Sequence, residues 1–308
     1  MKFPVLSDAL RAERLRPPSG KVRMVLDTDT FNEVDDQFAV AYALRSTERL
    51  DVEALYAAPF FNSRSSGPED GMEKSYEEIG RLLERLEMPA EGRVLRGSTA
   101  YLTGRAAPEA SPATQDLVER GMEASAGSPL YVVAIGAITN VASALLLEPR
   151  LVRRIVVVWL GGQPQHWPDT REFNLIQDPA ASRLIFDCGV PVVQVPCFGA
   201  ASHLLTTLAE LERHIGDCGE IGAFLVERVR AYHDDHFAWA KEIWDLAPVA
   251  YLVNPDWVPT HCVPSPVLTS QMTWSVDPRR HWIRVAQYVH RNPIFADLFG
   301  KLAAYRMR

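Results

Sequence analysis

The sequence predicts an α/β protein with an open, mostly parallel β-sheet flanked by helices. Its 308 residues contain short apolar runs, each followed by a polar or glycine-containing turn and then a segment with helical periodicity. Continuous apolar strands that alternate with helices indicate a parallel sheet covered on both faces. The predicted strands are 22–27, 52–57, 130–135, 154–160 and 191–195. The predicted intervening helices are 35–46, 69–87, 139–147 and 178–187.

The second half of the chain has more helical patterns, so we expect extra helices there. The helices predicted in this half are 206–216, 219–232 and 241–253. Two strand-like runs, 270–276 and 281–289, precede a C-terminal helix. No internal repeat or composition break divides the chain, which predicts a single domain over 1–308. Residues 1–20 form an N-terminal extension, with a short amphipathic helix and a Pro-Pro-Ser-Gly linker.

Composition and charge exclude several classes of protein. The net charge of −7 gives no reason to expect binding to nucleic acid or to an anionic membrane surface. The four cysteines lack CxxC spacing, and the N-terminal segment lacks an apolar core of signal-peptide length, so we expect a cytoplasmic protein. Residues 129–149 are long enough to span a bilayer, but the Gly136 and Thr139-Asn140 interruptions favour a buried strand, a turn and a buried helix.

Polar or glycine residues follow several of the predicted strands. Asp27 and Asp29 end the first strand, Asn62 follows the second, residues 136–140 follow the third, and Gly161-Gly162 follows the fourth. Ligands of open parallel sheets bind beyond the carboxyl ends of the strands. These positions are therefore the candidate site.

The stretch "VRMVLDTDTFNEVDDQFAVAYAL" places Asp27, Asp29, Asp35 and Asp36 within ten positions. Carboxylates this close repel one another and are costly to desolvate, which points to a bound cation. Helix capping is an alternative explanation, but it accounts only for Asp35 and Asp36. A haloacid-dehalogenase-like phosphohydrolase is a further alternative, because the nucleophile of that family lies in an Asp-x-Asp motif at the end of a strand. That motif normally has Thr or Val where Phe31 stands here.

Four segments, taken together, resemble the inosine-uridine preferring nucleoside hydrolase family. The first is Asp27-Thr28-Asp29 followed by Asp35-Asp36, although the intervening loop "TFNEV" is longer than the usual Pro-Gly loop of the family. The others are "VAIGAITNVASAL", "LGGQPQHWPDTREFNLIQDPAAS" and "WDLAPVAYLVNP", in the order of the family. The resemblance covers residues 22–255 and implies a Rossmann-like α/β sheet.

The resemblance also implies a Ca²⁺ cofactor and a set of site residues. The implied Ca²⁺ ligands are Asp29, Asp36, Asp245 and the backbone carbonyl of Ile135. Asp29 would also be the catalytic residue that accepts a proton from water. The residues implied to bind ribose hydroxyls are Asp35, Asn62, Glu172 and Asn174. An alternative role for Glu172 and Asn174 is to cap a loop before a helix. Asn62 could instead be an ordinary turn residue, and Phe61 stands before it where the family usually has glycine.

Many family members have a histidine before the last metal-binding aspartate, and this chain has Trp244 there. A tryptophan resembles the purine-specific branch, in which an aromatic ring stacks on the base, although a buried packing role is an alternative. His233 and His236 are candidates for protonating the base, or are simply exposed residues at a helix end.

We therefore expect Ca²⁺-dependent hydrolysis of ribonucleosides to ribose and a free base, with purines slightly favoured. Two alternatives stay open: hydrolysis of another N-riboside, and a catalytically weak Ca²⁺-dependent ribose-binding protein. The resemblance also implies a homo-oligomer, either a dimer or a tetramer.

Overall fold

The computed structural model describes residues 2–102, 104, 107–125 and 127–306. Residues 1, 307 and 308, which end the predicted 1–308 unit, lie outside the described residues. The strands are β1 (Val22–Thr28), β2 (Leu50–Ala57), β3 (Val94–Arg96), β4 (Leu130–Ala134), β5 (Ile155–Leu160), β6 (Val192–Val195), β7 (Leu205–Thr206), β8 (Lys241–Glu242), β9 (Thr260–Pro264), β10 (Val267–Leu268), β11 (Trp274–Ser275) and β12 (Trp282–Ala286). The helices are α1 (Asp8–Arg14), α2 (Asp35–Arg45), α3 (Pro68–Arg85), α4 (Pro112–Glu123), α5 (Thr139–Leu147), α6 (Phe173–Gln177), α7 (Pro179–Asp187), α8 (Leu208–Ile215), α9 (Gly219–Tyr232), α10 (Leu246–Val253) and α11 (Arg291–Arg306).

The central sheet has eight strands in the order β3-β2-β1-β4-β5-β6-β12-β9. Neighbouring strands of this sheet pair in parallel, except that β9 runs antiparallel to β12 at one edge. This arrangement confirms the predicted α/β class and its mostly parallel sheet. The first six strands follow the 3-2-1-4-5-6 order of doubly wound nucleotide-binding folds.

Each face of the sheet is covered by its own apolar cluster, because successive side chains of a strand point to opposite faces. In β1, Met24 and Leu26 join one cluster, while Val25 joins the other. The first cluster includes buried residues of α2, α3, α8, α9 and α10, and the second includes buried residues of α4, α5 and α7. Within each strand from β4 to β6 every residue is buried, which explains their largely apolar sequences.

Most predicted elements are confirmed to within about two residues, and the exceptions lie mainly in the second half of the chain. Residues 241–253 are not one helix, because α10 starts only at Leu246 and Lys241–Glu242 pairs with Leu205–Thr206 as strand β8. Pro248 lies in the first turn of α10, where its missing N–H costs no helical hydrogen bond. The predicted strand 270–276 is reduced to Trp274–Ser275.

Several elements had not been predicted from the sequence. Besides the short strands β7 and β8, they are β3, α4, α6, β10 and the antiparallel edge strand β9. Helix α4 has a clear local start signal, since the side chains of Ser111 and Thr114 cap each other's backbone N–H and Pro112 opens the first turn. Across the described part of the chain, no helix is both long and apolar enough to cross a membrane.

Candidate active site

The candidate site lies where the sheet order reverses, between β1 and its neighbour β4. The chain proceeds from β1 outward to β2 and β3, then returns to β4 on the other side of β1. Such a switch point opens a crevice beyond the carboxyl ends of the strands, because the two following connections leave on opposite faces. The aspartates at the end of β1 and the glycine turn after β4 both lie at this switch point.

Asp27 and Asp29, at the end of β1, are completely buried. Asn140, in the first turn of α5, donates its Nδ2 hydrogen to Asp27 Oδ1 at 2.7 Å and to the Ala57 carbonyl at 3.2 Å. Neither side-chain oxygen of Asp29 has a hydrogen-bond partner. Asp27 is therefore held by a structural network, whereas Asp29 is left available for a ligand.

Asp35 and Asp36 begin α2, and Asp245 immediately precedes α10. One carboxylate oxygen from each of the three lies within 4.8 Å of the other two. All three residues are at most 3 % exposed, and one oxygen each of Asp35 and Asp245 has no hydrogen-bond partner. Thr28 Oγ1 donates to Asp36 Oδ1 at 2.5 Å. This cluster differs from the set implied by the sequence, because Asp35 joins Asp36 and Asp245.

Burial and mutual repulsion raise the pKa values of these carboxyls. Burial is the largest cause of the raised pKa of Asp29, and the Asp36 and Asp35 charges raise it further. The pKa of Asp245 is raised by burial and then by the same two neighbours. A cation bound among them would favour the charged forms and remove this cost. Buried oxygens without partners and an all-carboxylate donor set thus fit a hard divalent metal ion.

A cavity of about 670 Å³ opens above these carboxylates, a volume suited to a small ligand. Its lining residues are Asn32, Glu33, Asp35, Asp36, Asn62, Ser63, Arg64, Ile135, Leu160, Gln163, Arg171, Glu172, Phe173, Asn174, Cys197, Phe198, Tyr232, Trp244 and Asp245. Every predicted site residue is in this set except Asp29, which has no exposed surface. His233 and His236 are outside it.

The segment after β5 forms one wall of the cavity. Glu172 caps α6 by accepting hydrogen bonds from the backbone N–H groups of Asn174 and Leu175, and it also accepts one from Gly162. Asn174 Nδ2 donates to the carbonyl of Ile135 at 3.0 Å. The capping role expected as an alternative for Glu172 is therefore present, and it fixes the carboxylate at the cavity wall.

The loops after β1 and β2 form the opposite wall. Asn62 Nδ2 donates to Asn32 Oδ1 at 2.6 Å, which ties the two loops together. In the longer loop 30–34, Glu33 Oε1 accepts hydrogen bonds from Tyr232 Oη at 2.6 Å and from Lys241 Nζ at 2.8 Å. The side chain of Lys241 is buried, so the loop is fixed by a charge pair reaching the segment before α10.

Aromatic side chains form the mouth of the cavity. Trp244 contacts Phe198 edge-to-face, with ring centroids 5.4 Å apart, and Phe198 stacks on Trp167 at 5.5 Å. Phe198 and Trp167 are exposed large apolar residues. His233 instead stacks on Trp239 at 4.9 Å, outside the cavity.

Sequence reasoning missed several cavity residues. Arg64 and Phe198 follow β2 and β6 closely, so the strand-end rule applied to every strand would have found them. Tyr232 ends α9 and carries no local signal, because only the fold brings it to Glu33.

These features define an α/β protein with an acidic ligand cavity at the switch point of its sheet. A model of the family described as "Inosine-uridine preferring nucleoside hydrolase" matches residues 24–293, and the chain belongs to this family. It is accordingly a nucleoside hydrolase, an enzyme class that acts on N-glycosyl bonds. The sequence-based assignment to this family is confirmed.

Relatives described with different substrate specificities resemble the chain. The pyrimidine-specific ribonucleoside hydrolase RihA of Escherichia coli is 30% identical over 263 residues, which cover 76% of this chain and 80% of RihA. RihA of Salmonella typhimurium is 29% identical over 262 residues, with the same coverage. Among solved structures, a purine-preferring ribonucleoside hydrolase from Gardnerella vaginalis has a TM-score of 0.71 at 19% identity, covering 92% of this chain and 99% of that chain. The plant nucleoside hydrolase PpNRh1 has a TM-score of 0.70 at 20% identity, also covering 92% and 99%.

Proposed function

We propose that the protein is a Ca²⁺-dependent ribonucleoside hydrolase that releases ribose and a free base. The observation that carries this proposal is the buried Asp35, Asp36 and Asp245 cluster at the floor of the cavity. With Asp29 and the carbonyl of Ile135, it offers the oxygen ligands that Ca²⁺ prefers, about six to eight in number when water and substrate hydroxyls are included. When bound, the cation would lower the pKa of a water molecule and orient the ribose hydroxyls.

The roles of the remaining site residues follow from their places in the cavity. Asp29 would take a proton from the attacking water, whose oxygen bonds to the anomeric carbon as the carbon–nitrogen bond breaks and its electron pair leaves with the base. A positioned base contributes typically about 10²–10⁴-fold to the rate. The residues proposed to bind ribose hydroxyls are Asp35, Asn62, Glu172 and Asn174. Three backbone N–H groups hold the Glu172 carboxylate at the cavity wall, where it would meet a ribose hydroxyl.

Trp244 supports a slight preference for purines, because a larger ring stacks better on an aromatic face. Its neighbour Phe198 extends the apolar surface at the mouth. The relatives do not decide the point, since RihA is described as pyrimidine-specific and the Gardnerella enzyme as purine-preferring. His233 and His236 lie outside the cavity lining, which weakens their candidacy as acids for the base.

Turnover of a panel of purine and pyrimidine ribonucleosides, with and without a chelator, tests the proposal. Ribose release that stops on metal removal and returns with Ca²⁺ is the expected result. Ca²⁺-dependent binding of ribose without turnover would instead favour a ribose-binding protein. Turnover restricted to a riboside with another aglycone would favour the second alternative. A homo-oligomeric state and a cytoplasmic location stay proposals, and sedimentation of the purified protein tests the first.

A further inference from the structure

Arg64 brings a positive charge to a cavity otherwise rich in carboxylates. It is half-buried, follows β2, and lines the cavity together with Asn62 and Tyr232. In the described part of the chain, no carboxylate oxygen lies within 4.0 Å of its guanidinium nitrogens. Its guanidinium makes one long contact, to the carbonyl of Phe31 at 3.5 Å, and lies 5.7 Å from the centre of the Tyr232 ring.

The backbone of Arg64 is fixed, in contrast to its loosely bonded side chain. Its N–H donates to Asn62 Oδ1 at 2.8 Å, and its carbonyl accepts from Lys74 Nζ at 2.8 Å. Since Asn62 is in turn bonded to the loop after β1, the guanidinium starts from a defined point on the cavity wall. The backbone of Arg64 is therefore held in place, while its guanidinium is available to a ligand group.

The charged neighbours of Arg64 on these walls are already paired with other side chains. Arg64 also lines a second cleft, adjoining the first, in which Lys74 pairs with Asp70 at 2.7 Å and Arg228 lies 3.9 Å from Glu78. Within the main cavity, Glu33 is already paired with Lys241. A planar guanidinium suits bidentate binding of a carboxylate or a phosphate.

The other arginine of the cavity is already committed. Arg171 pairs with Asp169 and donates to the carbonyl of Gln271 at 3.0 Å. It follows β5, whereas Arg64 follows β2, so β1 and β4 separate the two in the sheet. Arg171 therefore provides a matched comparison for a substitution at Arg64.

We propose that Arg64 forms an anion subsite of the substrate cavity, and that the preferred substrates are N-ribosides carrying a carboxylate or a phosphate group. This inference rests on the proposed function and narrows its substrate class. The two sources of the anion differ in position, since a carboxylate would be on the base and a phosphate on the ribose.

The test compares kcat/KM for uridine, for orotidine with its base carboxylate, and for uridine 5′-monophosphate. The expected result is that one anionic substrate exceeds uridine by roughly 10- to 100-fold, the range of a charge-assisted hydrogen-bond pair. Arg64→Gln should abolish this advantage, and Arg64→Lys should keep part of it. Arg171→Gln should change kcat/KM for all three substrates by a similar factor. A higher kcat/KM for orotidine than for uridine would place the recognised anion on the base, and a higher kcat/KM for the nucleotide would place it on the ribose.

The anion subsite would be overturned if uridine had the highest kcat/KM, or if Arg64→Gln lowered kcat/KM equally for all three substrates. Neither result would contradict nucleoside hydrolysis. Calorimetry with Ca²⁺ present gives a readout independent of turnover, comparing orotate with uracil and ribose 5-phosphate with ribose. If no riboside is hydrolysed but the anionic member of a pair binds more tightly in wild type and not in Arg64→Gln, the hydrolase proposal fails and the anion subsite is supported.

Discussion

Gly136→Ala tests whether the position of Asp29 sets the rate. Gly136 follows β4, and a Cβ built on it would lie 2.9 Å from Asp29 Oδ1, 3.0 Å from Asp29 Cγ and 3.2 Å from the Cβ of Ala58. Ordinary contacts of this kind begin at about 3.4 Å, so Asp29 must move by roughly half an ångström, away from β4. Asp29 has no hydrogen-bond partner to hold its carboxylate in place, so we expect it to be the group that yields.

We expect kcat to fall by roughly 10- to 100-fold, since a misplacement of about 1 Å in a catalytic group can cost about 10²-fold. KM should change less, because the proposed ribose ligands on the other walls do not move. The assay is steady-state turnover of the best nucleoside from the substrate panel, with bound Ca²⁺ measured on the same samples. Ca²⁺ loss would show that Asp29 acts mainly as a metal ligand, whereas retained Ca²⁺ with low kcat would assign it to proton transfer.

Gly80→Ala is the matched control. Gly80 lies inside α3, and a Cβ built on it would meet no atom within 4 Å. Replacing a helix-interior glycine with alanine stabilises by about 0.5–1 kcal/mol, so the control should melt slightly higher with unchanged kcat. Wild-type kcat in Gly136→Ala, with its fold intact, would refute the reasoning that Asp29 must be held in place for catalysis.

Three further outcomes are expected. Asp36→Ala should lose both Ca²⁺ and activity, because the remaining carboxylates are left with an incomplete ligand shell, and a variant with stoichiometric Ca²⁺ would remove Asp36 from the ligands. Trp244→Ala should lower kcat/KM for inosine roughly 5- to 150-fold, as expected for lost stacking of about 1–3 kcal/mol, and much less for uridine, with Ca²⁺ unchanged; equal losses would make Trp244 a packing residue. Burial, then Arg11 and Arg280, lower the pKa of His281 to about 4. The unfolded chain therefore binds the additional proton between about pH 6.5 and 4, and stability falls as the pH drops through this window. Urea melts of His281→Gln should show a weaker pH dependence there, and an unchanged slope would contradict the assignment.

The sheet could be predicted from the sequence because its signals are local. Each strand from β4 to β6 is buried along its whole length, so it is largely apolar, and the amide of the buried Gln194 in β6 donates to the Gly161 carbonyl. The helices α2 and α5 come next in the chain after the polar ends of β1 and β4, and this local signal allowed them to be placed. Residues 241–253 could not, because Lys241–Glu242 becomes a strand only through its pairing with Leu205–Thr206.

The acidic part of the site was also predictable in outline. Asp29, Asp35 and Asp36 are brought together by one strand, one loop and the first turn of α2. Asp245 comes from more than 200 residues further along the chain, and only the family resemblance, not local pattern, brought it into the predicted set. What the sequence could not provide was that Asp35 lies with Asp36 and Asp245, because this depends on how α10 packs against α2.

The wall formed by the loops after β1 and β2 is harder to predict than the acidic floor, and the loop 30–34 shows why. Its Glu33 is bonded to Tyr232 and Lys241, both about 200 residues away in the sequence. A buried lysine beside a carboxylate is stable only because the two charges compensate each other. The length of the loop, the end of α9 and the segment before α10 must therefore fit together, although no local pattern links them. The carboxylate floor can be common to a family while this wall varies, which is consistent with the resemblance of this chain to relatives described as pyrimidine-specific and as purine-preferring. Substrate choice should accordingly follow the residues of this wall, and Arg64 is the one whose charge has no partner of its own among the described carboxylates.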